Sequence, residues 1–462
     1  MSENSDLGGA PGHEIWSSRL AFIFAAVGAA VGLGSLWRFP YVVGVNGGGA
    51  FIAIYIFFVA LLCVPIMAAE MVIGRRGGGS AIESMNSLVR QHKLWNGWRV
   101  IGWLSIFIPF MGLSYYAVVA SWVMDYVGLA ALNRFEGFES ADSLAMFSDL
   151  TLSVPRQILL HAGFIALTVW IVSRGVNRGI ERVSKIMMPA LFAILVGLVI
   201  YNAVALDLSA GARFLFMPDF SRITTEVVLM AMGQAFYSTA IGVGVMMTYS
   251  AYLPKNISLP QSAGIICGSV IFTSIMAGLA IFPIVFHFGL NPGEGPTLTF
   301  ITLPVAFGNM PGGHLIGLLF FTLVFFAGFT TAIGMLEPTV AWLQERFSIG
   351  RAKLTVLAGI VTWIVGLPSV LSFNALKDFH PLGWLEPFAN RTAFETIDFV
   401  IANFLLPANA LLIALFVAWA LRRDISEEEL RIGRGLRFRG WRFIIAVIAP
   451  LAILGIMIDL WY

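Results

Sequence analysis

Three groups of residues in this chain have types and spacings capable of chemistry. Gly28, Gly32 and Gly34 punctuate one long apolar stretch, and Gly242 and Gly244 punctuate another. A helix broken inside lipid exposes amides and carbonyls that hydrocarbon cannot satisfy, so each break must face a cavity or a ligand. The blander reading is that Gly28 and Gly32, four residues apart, only let two helices approach closely. Thr330 and Thr331 are adjacent hydroxyls in a third apolar stretch; they can offer neutral oxygens to a hard cation, or bond back to carbonyls one turn earlier in their own helix. Arg38 and Asp398 are charges in apolar surroundings, functional candidates by default, with helix-end anchoring at the interface as the plainer reading. No paired carboxylates, Asp-rich metal motif or histidine cluster at ligand spacing accompanies them, so the residues do not point to a membrane-embedded enzyme.

The elements that must position these residues are membrane spans. Of 462 residues, 58% are hydrophobic and 12% charged, which is outside the range of a soluble globular domain. Hydrocarbon about 30 Å thick needs roughly 20 apolar residues per helical span. Eleven such stretches begin near Trp16, Gly49, Val100, Gln157, Ile186, Thr225, Gln261, His314, Leu354, Ala393 and Trp441. With the N-terminus inside, only Arg134, Arg156, Arg213, Arg222, Lys377 and Arg391 of the 28 basic residues face outside, and Arg38 lies within a span; the remainder fall on the cytoplasmic side, as the positive-inside rule requires. An odd number of spans then leaves the C-terminus outside. Residues 1–15 read as a polar cytoplasmic tail with no signal-peptide pattern, and 422–462 as a basic cytoplasmic loop followed by the eleventh span. The stretch Arg75 to Arg99 suits a short interfacial helix. Cys63 and Cys267 read as small buried hydrophobes. The composition suggests a lipid bilayer and no nucleic acid as the chain's surroundings.

The two glycine-interrupted stretches are five spans apart, the mark of a five-plus-five inverted repeat with a binding site at mid-membrane. The repeats are expected over 16–205 and 206–421. The run Gly28-Ala-Ala-Val-Gly-Leu-Gly-Ser-Leu-Trp-Arg-Phe-Pro40, followed by Asn46-Gly-Gly-Gly-Ala-Phe51, closely resembles the first-span signature of the neurotransmitter sodium symporter family. The likeness continues through Glu70 and Gly74-Arg75, Ser114-Tyr115-Tyr116, Arg178-Gly179-Ile180-Glu181, Gly233 to Ser238, Phe300 to Pro304 and Phe326 to Thr331. It covers the first ten spans in order; family members often have twelve. The resemblance implies an all-α polytopic protein of the leucine-transporter type in a bacterial inner membrane, and a sodium-coupled symporter for an amino acid or derivative. A membrane sensor or channel on the same fold is the alternative.

The resemblance also implies a site. Carbonyls of Gly28, Val31 and Ala327 with the hydroxyls of Thr330 and Thr331 correspond to the family's sodium site between spans one and eight. A second sodium site would use Ala30, Ser35, Ser238 and Ser269, but serine stands at Ser35 and Ser269 where the family usually has asparagine. One sodium ion per substrate is therefore expected. Ala30, Leu33, Gly34, Gly112, Tyr116, Tyr237, Ser238, Ala240, Val243, Thr331 and Met335 would surround the substrate. Amine-carrying relatives have Asp at the position of Gly32, so a substrate bringing its own carboxylate is implied. Gly112 and Val243 stand where bulkier side chains are familiar, and Ala240 removes a hydroxyl, which suits a larger, β-amino or N-modified acid.

Arg38, Asp398, Gln234 and Tyr237 correspond to the outer gate. His13, Trp16, Tyr252 and Glu345 correspond to the inner one, where His13 would bring sensitivity to pH. Tyr55, Gln234, Ser238, Ser269 and Thr273 form a carboxylate-free donor cluster like that of chloride-dependent relatives; bacterial members seldom need chloride. Glu70 and Glu337 are expected to tie helices together. Neither the exact substrate nor the choice between monomer and homodimer follows from the sequence.

Overall fold

The computed structural model describes residues 15–289, 298–433 and 435–459. Among the described residues nine helices are long and apolar enough to cross a membrane: Gly49–Gly77, Asn96–Ala131, Val154–Val172, Val176–Ala205, Leu259–His287, Gly313–Arg346, Arg351–Leu371, Ala393–Ala420 and Leu436–Ile458. These correspond to the second to fifth and seventh to eleventh stretches expected from the sequence. The first is the pair Arg19–Ala30 and Gly34–Val45, bent by 53°. The sixth is divided into Thr225–Thr239 and Val245–Ala251, neither of which spans a bilayer by itself.

Local chemistry sets these boundaries. Ser18 Oγ accepts from the Ala21 amide at 3.1 Å and starts the first helix, satisfying one of the amides that a helix N-terminus leaves free. The helix continues to Val31, whose amide still donates to Val27 O at 2.7 Å; the Gly32 amide turns instead to Ala30 O at 3.0 Å. The chain then restarts on a new axis, its first turn from Gly34 to Arg38 wound as a π-helix, a form found mostly where helices serve function. In the sixth span Thr224 Oγ1 caps Val227 N at 3.2 Å. The far end is broken by three positive φ angles, at Ala240 (53°), Gly242 (81°) and Gly244 (91°). Gly244 is obligatory for packing as well, since a Cβ there would lie 2.3 Å from Ser105 Cβ.

The third span runs along the eighth more extensively than any other pair of helices meets, and the first half of span one packs against the fifth, seventh and eighth. Gly28 and Gly334 allow that approach: a Cβ on Gly28 would be 3.1 Å from Thr330 Cβ, and one on Gly334 would be 2.7 Å from Ala29 Cβ. Gly28 thus serves close packing within the helix, and the break itself falls one turn later, at Gly32. The expected interfacial segment is the amphipathic helix Ala81–Gln91. Cys63 and Cys267 are free and buried.

A short helix, Arg423–Leu430, is latched to the end of span two. Arg75 Nε donates to Glu429 Oε2 at 2.7 Å and its Nη1 to Ile257 O at 2.6 Å, with both charged side chains almost fully buried. Removing one partner of a buried pair strands the other charge, at about 3–5 kcal/mol, whereas replacing both with apolar groups is often neutral. Glu429→Ala is therefore expected to lower the thermal stability of the detergent-solubilised protein markedly. The double variant Arg75→Met, Glu429→Leu is expected to recover most of the loss.

Candidate functional site

The two breaks meet in one cavity of about 60 Å³, lined among others by Ala30, Gly32, Leu33, Gly34, Gly112, Tyr116, Tyr237, Ser238, Ala240, Val243, Thr331 and Met335. Every residue expected around the substrate thus borders the same space. Ile108, Tyr115, Ile401 and Leu406 line it too; apart from Tyr115, in the Ser114-Tyr115-Tyr116 motif, they carry no chemical signal in the sequence beyond apolar character.

The polarity of this space comes from helix ends. The half-helix beginning at Gly34 points its N-terminus into the cavity, and the Leu33 amide faces Tyr116 Oη at 3.3 Å. Helix N-termini carry partial positive charge and favour anionic groups. Thr225–Thr239 presents its C-terminus at Tyr237, Ser238 and Ala240, the end that favours cations. Bare backbone at Gly34 is needed because a Cβ there would lie 3.0 Å from the Tyr237 ring. The space beside Gly112 is taken by Met335, whose Cε is 3.1 Å from the position of a Gly112 Cβ. An unbranched thioether side chain adapts its shape readily.

Next to the cavity, spans one and eight bring hydroxyls to carbonyls. Thr331 Oγ1 donates across the interface to Gly28 O at 3.1 Å. Thr330 Oγ1 donates within its own helix, to Phe326 O at 2.9 Å and Ala327 O at 3.2 Å. Thr330 thus bonds back within its own helix, while Thr331 bridges spans one and eight. The C-terminus of Arg19–Ala30 adds its negative end beside these hydroxyls. Gly28, Val31, Ala327, Thr330 and Thr331 are all buried.

Two side chains hold the second break in shape. Glu70, fully buried, accepts from the amides of Gly242 at 3.4 Å and Met247 at 3.2 Å. Asn409 Nδ2 donates to Gly242 O at 2.7 Å and to Ser105 Oγ at 3.0 Å. Glu337 accepts from Arg351. Glu70 and Glu337 thus tie helices together, as expected. Asn409 went unnoticed, although an amide inside an apolar stretch is itself a signal.

The carboxylate-free cluster differs from expectation at the seventh span. Tyr55 Oη lies 2.9 Å from Ser238 Oγ and 3.5 Å from Ser274 Oγ. Thr273 instead turns back to donate to Ser269 O at 2.8 Å, and Ser269 is only half-buried. One residue is about 100° around a helix, so the correction replaces Thr273 and Ser269 by Ser274. Gln234 Nε2 donates to Gly34 O at 3.1 Å. Ser35 Oγ and Gln234 Oε1 are buried with no hydrogen-bond partner, an uncommon state for polar atoms.

At one end of the cavity Arg38 lies over the Tyr237 ring, 4.2 Å from its centroid, within electrostatic reach of Asp398 but not paired with it at ion-pair distance. Above them a vestibule of about 200 Å³ is bordered by Arg38, Gln234 and Tyr237. At the start of the first span Trp16 is buried; its Nε1 donates to Tyr249 O at 2.9 Å and its amide to Tyr252 O at 3.4 Å. Glu345, near the C-terminal end of Gly313–Arg346, accepts from the Ser80 amide at 2.6 Å and from the Ser80 hydroxyl, at the start of Ala81–Gln91. His13 lies outside the described residues.

An all-helical membrane protein with two interrupted helices crossing at an internal cavity is the architecture of secondary transporters. The family model for the sodium:neurotransmitter symporter family matches residues 13–135 and 141–460. An uncharacterized sodium-dependent transporter of Bacillus subtilis, YhdH, is 38% identical over 96% of this chain and 97% of that protein. Another, from Haemophilus influenzae, is 31% identical over 96% and 98%. The crystal structure of MhsT in complex with L-phenylalanine superposes with a TM-score of 0.88, at 34% identity, over 97% of this chain and all of that one. The chain belongs to the sodium:neurotransmitter symporter family. It is a sodium-dependent, multi-pass membrane transporter of a small molecule, and not an enzyme.

Proposed function

We propose that the chain imports a zwitterionic amino acid with one sodium ion per molecule, by alternating access. The observation that carries this reading is the opposite polarity of the two helix ends at one cavity: the N-terminus at Leu33 and Gly34 suits a carboxylate, and the C-terminus at Tyr237 to Ala240 suits an ammonium. The Tyr116 hydroxyl adds a donor for the carboxylate. Gly112 and the adaptable Met335 favour a sizeable side chain, in keeping with the L-phenylalanine bound to MhsT.

Sodium binds, on this reading, through Gly28, Val31, Ala327, Thr330 and Thr331. It draws the broken first span against the eighth and so completes the substrate pocket. The second sodium site, over Ala30, Ser35, Ser238 and Ser269, has serine at two positions where the family usually places asparagine, so on this reading it holds no second ion. The ion we propose for the neighbouring cluster is chloride, held by donors of Tyr55, Gln234, Ser238 and Ser274. Arg38 and Asp398 close over the substrate on the outer side, with Gln234 and Tyr237 beneath them, while Trp16 seals the inner side. The protein lies in a bacterial inner membrane with eleven spans, repeats over 16–205 and 206–421, the N-terminus inside and the C-terminus outside, as a monomer or homodimer.

Uptake of labelled L-phenylalanine into proteoliposomes tests this directly: an inward sodium gradient is expected to drive accumulation, which ceases when sodium is equal on both sides. Accumulation independent of sodium, or a conductance far above carrier turnover, would reject the symporter. Replacing chloride by gluconate is expected to slow uptake several-fold, and an unchanged rate removes the chloride assignment. Tyr116→Phe leaves the ring in place but deletes a donor to a charged group, worth about 1.5–3 kcal/mol. Its KM is expected to rise by about one to two orders of magnitude, whereas an unchanged KM would detach Tyr116 from the carboxylate.

A further inference from the structure

We propose that the face formed by spans four, five and nine binds an anionic phospholipid, headgroup and acyl chain together. At the basic end of span five a pocket of about 690 Å³ is bordered by Arg174, Asn177, Arg178, Glu181, Arg182 and Lys185. Glu181 is the acidic member, and its charge is already matched: Lys185 Nζ donates to it at 2.6 Å, and it accepts from the Ser17 amide at 3.1 Å. Arg174, Arg178 and Arg182 form no ion pair with a described residue, yet all three are exposed into the same space. Like charges four residues apart repel one another, so three guanidiniums around one hollow, with no acidic partner among the described residues, call for an anion. Guanidinium clusters match phosphate oxygens in geometry as well as charge.

The second observation is what adjoins this pocket. An apolar groove of about 510 Å³ runs between spans four and nine, walled by Ile165, Val169, Trp170, Val356, Ile360 and Trp363. Trp170 belongs to the groove, and Arg174 lies over its ring with the guanidinium 4.0 Å from the centroid. The groove therefore ends where the basic pocket begins, and Trp170 marks the junction, as tryptophan does at membrane interfaces. A free phosphate or a soluble anion would use the pocket but leave the groove empty. A phospholipid with a net negative headgroup fills both, and basic hollows between spans are known to take such headgroups.

The test uses the full-length protein in mixed micelles and in nanodiscs, with phosphatidylglycerol as probe and phosphatidylcholine as its neutral match. Native mass spectrometry is expected to show phosphatidylglycerol retained in preference to phosphatidylcholine. The triple variant Arg174→Gln, Arg178→Gln, Arg182→Gln is expected to weaken that retention about tenfold or more. Ala166→Trp, which fills the groove but leaves the arginines, is expected to weaken it as well. The matching triple lysine variant, which restores charge and guards against misfolding, is expected to keep most of the preference. Equal retention of the two lipids, or a preference unchanged in the glutamine variant, overturns the proposal. So does displacement of the lipid by glycerol 3-phosphate at similar concentration, which assigns the pocket to a soluble anion. Conversion of a dimer to a monomer by Ala166→Trp with lipid retention intact also overturns it, because a second copy of the chain then covers the groove.

Discussion

Thr331→Val is expected to fold and to lose nearly all sodium-dependent uptake at physiological sodium. The substitution preserves shape and removes the hydroxyl that reaches Gly28 O at 3.1 Å. In the sodium-free protein one neutral hydrogen bond is lost, about 1 kcal/mol, so the thermal midpoint without sodium should move little. In the sodium-bound protein an oxygen facing a full charge is lost, and interactions with charged groups are worth about 1.5–3 kcal/mol. The sodium concentration for half-maximal uptake should therefore rise by about one to two orders of magnitude. Sodium should also cease to raise the thermal midpoint, because stabilisation by a ligand follows its occupancy. Wild-type sodium dependence in this variant would place the cation elsewhere.

Gly244→Ala is expected to leave little functional protein. The residue has φ 91° and sits where a Cβ would meet Ser105 Cβ at 2.3 Å, Ser105 Cα at 2.5 Å and Ser105 O at 2.5 Å. Left-handed strain at a non-glycine residue costs about 1–3 kcal/mol, and overpacking a close-packed interior about as much again. Relief requires moving the third span away from the sixth, which opens the break that Glu70 and Asn409 hold. Gly233→Ala on the same span provides the control, since no heavy atom lies within 4 Å of its Cβ position. Thermal unfolding and uptake measured on both should separate them sharply: near wild type for Gly233→Ala, and a large loss of stability with background uptake for Gly244→Ala.

Much of this arrangement could be read before any coordinates. Hydropathy located the nine long helices and the bent first span because a bilayer imposes a length on every crossing. The divided sixth span was legible from Gly242 and Gly244, since few residues other than glycine occupy positive φ without strain. What escaped was register and partnership. Thr273 and Ser274 are adjacent hydroxyls, and only the rotation of the seventh span decides that Ser274 meets Tyr55. Glu345 has the charge of a gate residue, and its contact with Ser80 had no sign in the sequence. Asn409 gave a weak signal because a lone amide in a span can equally join two helices with no bearing on transport. The lining by Ile108, Ile401 and Leu406 has no chemical signature at all; it follows from the crossing geometry.

The account rests on a cation and a zwitterion jointly satisfying the peptide groups that the two breaks expose, and that dependence is reciprocal by linkage. Its most direct test is a thermal-shift titration of the purified protein against each of the twenty amino acids, with taurine, β-alanine and betaines added, in sodium and in sodium-free buffer. At least one zwitterion is expected to raise the midpoint strongly in sodium and negligibly without it. A ligand that stabilises equally in both buffers, with none depending on sodium, would contradict the shared site.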